Sequence, residues 1–403
     1  MVLAWLLAAP AHAATSAGTG APSDALGEED SASLTTVDAA TLRRYREEIA
    51  ALEANGGAYS PGLTEPLLEL GLALQQAGRH GEAIRVLKRG VHLARVNEGL
   101  YSRVQLALIE AEIRSHIALG EFTTADDRQR YLYRVQQRTL SDRGRSLALM
   151  RQARWQRRAY ELGLDENGLE RLLRMWNLYR MSLSAIADQE GETSPNLLPP
   201  LYGMLRAQYL ISDFDGAGDG GRVDPFSAGS DDSRFLVFRK QSYKQGGSVI
   251  RAIYDVQRAQ PGAGPREHAE ALLLLGDWRL WHGKEDDAAQ AYDDALRELA
   301  RLDDAEADVT RLFGMPRALP ALDGVRPLPL TTTEEHANLL VEFDVDEHGR
   351  VRDLERVDDH EGNESVANRL LRKLRRTRFR PRFADGQPVP TTDMVWAYDT
   401  NSW

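Results

Sequence analysis

Two hydrophobic rhythms divide this chain. From Ala39 to about residue 313, apolar residues recur every three or four positions and are interrupted by short turns containing Gly, Asn or Pro. That spacing places one apolar stripe along an α-helix. Near the end the rhythm changes: in LLVEFDVDEHGRVRDLERV, Leu339, Val341, Phe343 and Val345 alternate with polar residues, Asp346 to Gly349 supply turn chemistry, and Val351, Leu354 and Val357 follow. This predicts a strand, a turn and a strand. The expected fold class is mainly α, a helical solenoid over 39–313 followed by a small α+β unit over 336–403.

The helical region repeats itself. LLELGLALQQAGRHGEAIRVLKRG carries Leu70, Gly71, Gly78, Ala83, Leu87 and Gly90, and LLLLGDWRLWHGKEDDAAQAYDDA carries Leu275, Gly276, Gly283, Ala288, Tyr292 and Ala295 at the same offsets. Small residues let two helices cross closely, a glycine ends the first helix, and large residues fill the remaining gaps. Both segments resemble the tetratricopeptide repeat (TPR) family, which implies a TPR-like α-solenoid that binds proteins. In a degenerate copy, Gly120 and Ala125 follow Gly78 and Ala83 by 42 residues, so the helices should be longer than in the family's ~34-residue unit. Between 130 and 260 the stretch LERLLRMWNLYRMSLSAIA is an amphipathic helix, GETSPNLLPP has helix-start chemistry, and SYKQGGSVIRAIYDVQ reads as a further helix–turn–helix. These are expected to be divergent repeats, since one repeat cannot bury its apolar face alone. Trp176, Trp278 and Trp281 fall in the helical patterns and are expected in the core.

The ends bear on location. An apolar run from Val2 to Ala9 followed by Ala11, His12 and Ala13 has the form of a secretory signal peptide over 1–13. This predicts a periplasmic protein of a Gram-negative bacterium. Elsewhere no segment approaches the ~20 apolar residues of a membrane span, so none is expected in the mature chain. Residues 14–38, rich in Ser, Thr, Gly, Ala and Asp, are expected to form a flexible linker, and 314–335, with its prolines, an extended connector. The chain holds 50 Lys and Arg against 61 Asp and Glu, a net charge of −11. That balance argues against nucleic acid as a partner. It holds no cysteine, which excludes disulfides, thiolate metal sites and cysteine nucleophiles.

Candidate chemistry is sparse. In YLISDFDGAGDGGRVDPF, Asp213, Asp215, Gly218, Asp219 and Asp224 fall at calcium-loop spacing, but Ala217 occupies a ligand position and Asp224 replaces the longer Glu, so a solvated loop competes with a metal site. Gly216, Gly218 and Gly221 match a dinucleotide spacing without the strand and helix that would support it. No helical His pair or nucleophile motif occurs, and neither a catalytic residue nor a cofactor is expected. RLLRKLRRTRFRPRF, Arg369 to Phe383, is strongly basic within an acidic chain. It reads either as an amphipathic helix with Leu370, Leu371 and Leu374 inward, or as a patch in which Arg372 and Arg376 meet an anionic envelope component such as peptidoglycan.

The tail as a whole, LLVEFDV, DEHG, RVRDLERV, ESVANRLLRKLRRT, RFRPRFADGQPVP and DMVWAYD, resembles the C-terminal domain of the TonB family. The positions that carry the resemblance are Val341, Phe343, Val345, Asp346, Gly349, Val351, Phe379, Pro381, Gly386, Pro388 and Val389. The resemblance implies a strand–strand–helix–strand domain that engages outer-membrane receptors by strand addition, with Met394, Trp396 and Tyr398 on the matching edge strand. A transducer needs a retained membrane helix and a long proline spacer, whereas here the leader is expected to be cleaved and the proline stretch is short. The expected function is therefore a non-enzymatic periplasmic adaptor binding cell-envelope proteins. Two alternatives stand beside it: an accessory of TonB-type transport, and an enzyme with a site hidden in 140–260.

Overall fold

A computed structural model describes residues 39–164, 168–214, 230–358 and 364–402. The expected leader and linker, and Asp215, Asp219 and Asp224 of the candidate calcium loop, lie outside them. The chain forms two compact units that meet in sequence at Gly191 and Glu192.

The N-terminal unit is helical. Helices α1 (Ala39–Gly56), α2 (Thr64–Gln76), α3 (His80–Glu98), α4 (Gln105–Ala118), α5 (Phe122–Thr139), α6 (Asp142–Glu161) and α7 (Gly168–Glu190) pack successively. The turns inside the pairs α2–α3, α4–α5 and α6–α7 share one mechanism. Gly78, Gly120 and Gly163 take φ of 70°, 73° and 62°. The amide after each reaches back to the helix, Arg79 to the Leu74 carbonyl, Glu121 to His116 and Leu164 to Ala159. This αL cap satisfies helix-end carbonyls that would otherwise lack donors, and glycine adopts it without the Cβ penalty. The helices then cross on small residues: a Cβ at Gly71 would lie 2.5 Å from Leu87 Cδ2. Leu67, Leu74, Leu87, Leu108, Ile109 and Val135 form the core beneath.

The C-terminal unit begins with α8 (Leu198–Asp213), α9 (Ser230–Arg258), α10 (Pro265–Trp281), α11 (Glu285–Leu299) and α12 (Ala305–Phe313). Ser194 Oγ accepts from the Asn196 amide, and α8 follows at Leu198, as the helix-start chemistry predicts. The pair α10–α11 repeats the earlier geometry, with Gly283 at φ 69° and the Lys284 amide bonded to the Arg279 carbonyl. A Cβ at Gly276 would sit 2.3 Å from the Tyr292 ring, and that ring is buried. The repeats are TPR-like in this physical sense. One expectation fails: SYKQGGSVIRAIYDVQ forms no turn but lies inside the continuous helix α9. Gly246 is there for packing, since a Cβ would come within 2.3 Å of Trp278, whose ring is completely buried. Trp176 is buried as well, and Trp281 is partly buried with its Nε1 donating to Ser212 Oγ.

The tail is a three-stranded antiparallel sheet in the order β3 (Val351–Arg356), β2 (Leu339–Val345), β7 (Thr391–Tyr398). Helix α13 (Glu364–Arg376) covers one face, burying Ala367, Leu370 and Leu374 against Val341, Phe343, Val345 and Phe379. Between α13 and β7 come β4 (Phe379–Arg380) and a hairpin of β5 (Arg382–Ala384) and β6 (Gln387–Val389). Its Asp385–Gly386 turn has φ of 49° and 75°, the twist that suits a two-residue hairpin.

The segment over 314–335 is not the free connector the prolines suggest. Its β1 (Arg317–Ala318) pairs with β4, Leu319 is fully buried with Tyr292 and Phe313, and Leu328 enters the sheet core. Phe383 packs on the rings of Tyr292 and Phe313 at 5.6 and 4.9 Å. Tail and last helices thus share apolar contacts, and the two-residue strands β1 and β4, too short to be stable alone, pair with each other.

Candidate interaction surfaces

The N-terminal unit exposes an arginine-rich face. Arg143, Leu147, Arg151, Arg154 and Arg158 all face solvent from α6 at helical spacing. The first helices of the three pairs adjoin. Gln75 on α2 donates to the Ala111 carbonyl and Ser115 Oγ of α4 at 2.6 and 2.7 Å, and Arg151 on α6 pairs with Glu110 on α4 at 3.5 Å. Arg114 therefore stands on the same surface, with Leu68, Leu72 and Ile117 partly exposed beside it. Arg114, Arg154 and Arg158 have no carboxylate partner among the described residues.

What fixes this face lies beneath it. Asp126 on α5 accepts Trp155 Nε1 of α6 at 2.7 Å and both Nη atoms of Arg171 of α7 at 3.0 and 2.8 Å, and Gln156 also accepts from Arg171 at 3.0 Å. Asp126 and Arg171 are 3% and 1% exposed, so a two-pronged pair with its donors filled ties three helices together. Burial raises the Asp126 carboxyl, but bonds from Arg171 and Trp155 and the charges of Arg171 and Arg130 outweigh it, leaving the group below its ordinary range. A second buried carboxylate, Glu112 on α4, is held by Arg128 of α5 at 2.5 Å. The arginine face is not among the sites expected from sequence. Its signal is present: from Arg128 to Arg158 ten arginines accompany a single carboxylate, Asp142.

In the tail, the motif positions have structural duties. Asp346 Oδ1 accepts the His348 and Arg350 amides at 3.0 and 2.8 Å, which closes the β2–β3 turn. Gly349 has φ 72°, and any Cβ there would collide with the Phe379 carbonyl. The proposed edge residues divide. β7 is an edge strand, and Met394 and Tyr398 are buried while Trp396 packs against the same core, so these side chains hold the sheet together. Leu340 turns its amide and carbonyl toward Asp358 and Val357 on the β3 side. Its β7 neighbour Ala397, and by alternation Val395, therefore point their backbone groups outward. The Thr332 amide already occupies the Ala397 carbonyl. The open edge is the half around Val395, whose side chain is 44% exposed. Arg372 and Arg376 are exposed on α13 with Arg369 and Lys373.

Where tail meets helices, Arg380, 2% exposed, lies 3.5 Å from the Asp277 carboxylate, which also accepts Tyr292 Oη at 3.0 Å. Here burial dominates and pushes the Asp277 carboxyl up, against Arg380, Tyr292 and Arg317. At the rim Glu285 takes Arg350 at 2.8 Å and Arg378 at 3.3 Å. Asp213 is exposed at the end of α8. Among the described residues no three His, Cys, Asp or Glu side chains gather as a metal would require, and no helix is long and apolar enough to cross a membrane.

Together these features define TPR-like helix pairs in each unit, the second of which ends in a small α+β tail. No family model and no curated protein matches the chain. Solved structures of similar build do. BtubC (BKLC) from P. vanneervenii is 13% identical, over 74% of this chain and 95% of its own, at a TM-score of 0.36. A Podosopora anserina protein described as a kinesin light chain with nearly identical TPR-like repeats is 14% identical, over 61% and 99%, at 0.39. Likeness at this level carries nothing about ligand or partner.

Proposed function

We propose that this protein is a non-enzymatic interaction scaffold whose N-terminal unit binds an acidic, partly apolar segment of a partner protein along α2, α4 and α6. The observation that carries this reading is the exposed set Arg114, Arg154 and Arg158 on α4 and α6, which lack carboxylate partners among the described residues, together with the partly exposed Leu68, Leu72 and Ile117 on α2 and α4. Guanidinium forks pair with carboxylates in two-pronged geometry, and the neighbouring apolar side chains add contact area. Periplasmic residence belongs to the same reading and is supported by the apolar run at Val2 to Ala9.

The test is fluorescence anisotropy with a labelled peptide of alternating Glu and Leu against the full chain. Binding should weaken as salt rises and fall by about tenfold or more when Arg154 and Arg158 both become Ala. Equal binding of a Lys/Leu peptide, or indifference to the substitutions, sinks the reading.

A second reading rests on the open half of the β7 edge: an accessory of TonB-type transport, in which an outer-membrane receptor segment adds as a strand beside Val395. Val395→Pro removes the outward amide while leaving the β2 ladder its donors, and it should abolish capture of such receptors from envelope extracts. Retained capture would discard it. Deletion of the tail is a poor test, since it would uncover Phe313 and Tyr292.

A further inference from the structure

The exposed side of α13 concentrates charge. Arg369, Arg372, Lys373 and Arg376 fall within about 100° of the helix circumference and about 10 Å of its axis, opposite the buried Ala367, Leu370 and Leu374. None of the four has a carboxylate partner among the described residues. Neighbouring like charges at these spacings oppose each other, so the arc carries an electrostatic cost while it faces only water. The far face of the sheet is mostly of the opposite sign: Glu342, Asp344, Glu355 and Asp393 lie there with one cation, Arg352, which is paired with Asp346, and Glu342 stands directly opposite Glu355 across the strands.

We propose that the α13 arc docks the protein on an anionic lipid bilayer. Shape selects the partner class. The arc is the convex back of a helix whose apolar side is already buried, and its exposed neighbours are Ser365 and Asn368. A peptide would find no trough there, while a flat sheet of phosphates reaches all four cations at once. Charge selects the orientation. The sheet carboxylates lie on the order of 15–20 Å behind the arc, a helix diameter plus a strand layer, which exceeds the ~8 Å screening length at physiological salt. With the arc toward the membrane, the cations are attracted and the carboxylates are screened from it. The net charge of −11 therefore does not prevent docking through this one patch.

The experiment is co-sedimentation of the full chain with vesicles of phosphatidylcholine alone or mixed with phosphatidylglycerol. Binding should require the anionic lipid and vanish at high salt. It should fall roughly 30-fold in R372E/R376E judged from neutralisation alone, and further with the reversed sign. Glu355→Gln, on the far face, should leave it unchanged. Both substitutions lie on the solvent side, and unchanged circular dichroism confirms folding. The Glu/Leu peptide should bind R372E/R376E normally, which separates this surface from the arginine face of α6. Three outcomes overturn the proposal: no preference for anionic vesicles, sedimentation that survives R372E/R376E, or an arc that binds duplex DNA or acidic peptide but not vesicles.

Discussion

Each unit buries an aspartate beside an arginine far away in sequence, and the two pairs behave oppositely. Asp126 and Arg171 meet with two bonds of 2.8 and 3.0 Å, Trp155 fills a further acceptor site, and the carboxyl is held below its ordinary range. Asp277 and Arg380 approach only to 3.5 Å, Arg380 Nε and Nη1 find no hydrogen-bond acceptor among the described residues, and burial pushes the carboxyl up. The first pair joins three helices inside a repeat stack, where geometry recurs and can be satisfied. The second joins a helix to an α+β tail, two surfaces with unrelated periodicities, and its hydrogen bonding is incomplete. A buried pair is thus a poor measure of stability until its remaining donors and acceptors are counted.

The largest way to break the comparison is Arg171→Met, which strands the Asp126 carboxylate and should cost the N-terminal unit about 3–5 kcal/mol at neutral pH, read by urea unfolding with hydrogen exchange to locate the loss. Next comes Leu319→Ala. With the side chain fully buried between Tyr292 and Phe313, it should cost about 2–4 kcal/mol and raise exchange in α11 and β4 together. Exchange rising in β4 alone would mean that tail and helices are separate folding units.

Smaller, and more diagnostic, is Arg380→Met. Asp277 already has a raised folded pKa, so its contribution to stability is greatest below the unfolded value and is lost as pH rises through the folded one. Removing Arg380 should therefore destabilise by about 1–3 kcal/mol at pH 7 and by less at acid pH, where the carboxyl is protonated. Asp126 runs the other way: its lowered pKa supplies stability that disappears only as pH falls below the usual carboxylate range. The smallest effect concerns His282, which burial against Trp278 and Tyr243 holds down to about 4. Its stabilising contribution is present above the unfolded value near 6.5 and is lost as pH falls toward 4. His282→Leu should flatten that part of the stability profile by up to one proton.

Local geometry was legible in the sequence where a single residue type has a single physical use. Gly71, Gly78, Gly276 and Gly283 announced their hairpins because helix caps and close crossings admit little else, and the alternation at Leu339 to Val345 announced β2. Gly246 misled for the same reason. A glycine that accommodates Trp278 reads identically to one that ends a helix, and only the distant tryptophan tells them apart. The proline segment misled because composition records how a segment bends, not what it packs on, and Leu319 and Leu328 carry no local sign of their partners. Met394, Trp396 and Tyr398 were placed on the correct strand, but period-two alternation does not say which face a neighbouring helix will cover. The arginine face of α6 was visible as a charge run, yet its separation from acidic partners depends on where α4 and α5 lie.

One bond in the tail has a consequence for solubility. An edge strand with free amides and carbonyls is a template on which copies of a chain can stack into fibres. By bonding Thr332 to the Ala397 carbonyl, the chain lays its own backbone along the last part of β7, and Asp393, at φ 58°, distorts the first part. What remains beside Val395 is a short stretch, open to a single added segment but not to the long flat pairing along which copies stack into fibres. The segment that looked like a tether thus also shields part of an edge strand from pairing with another copy.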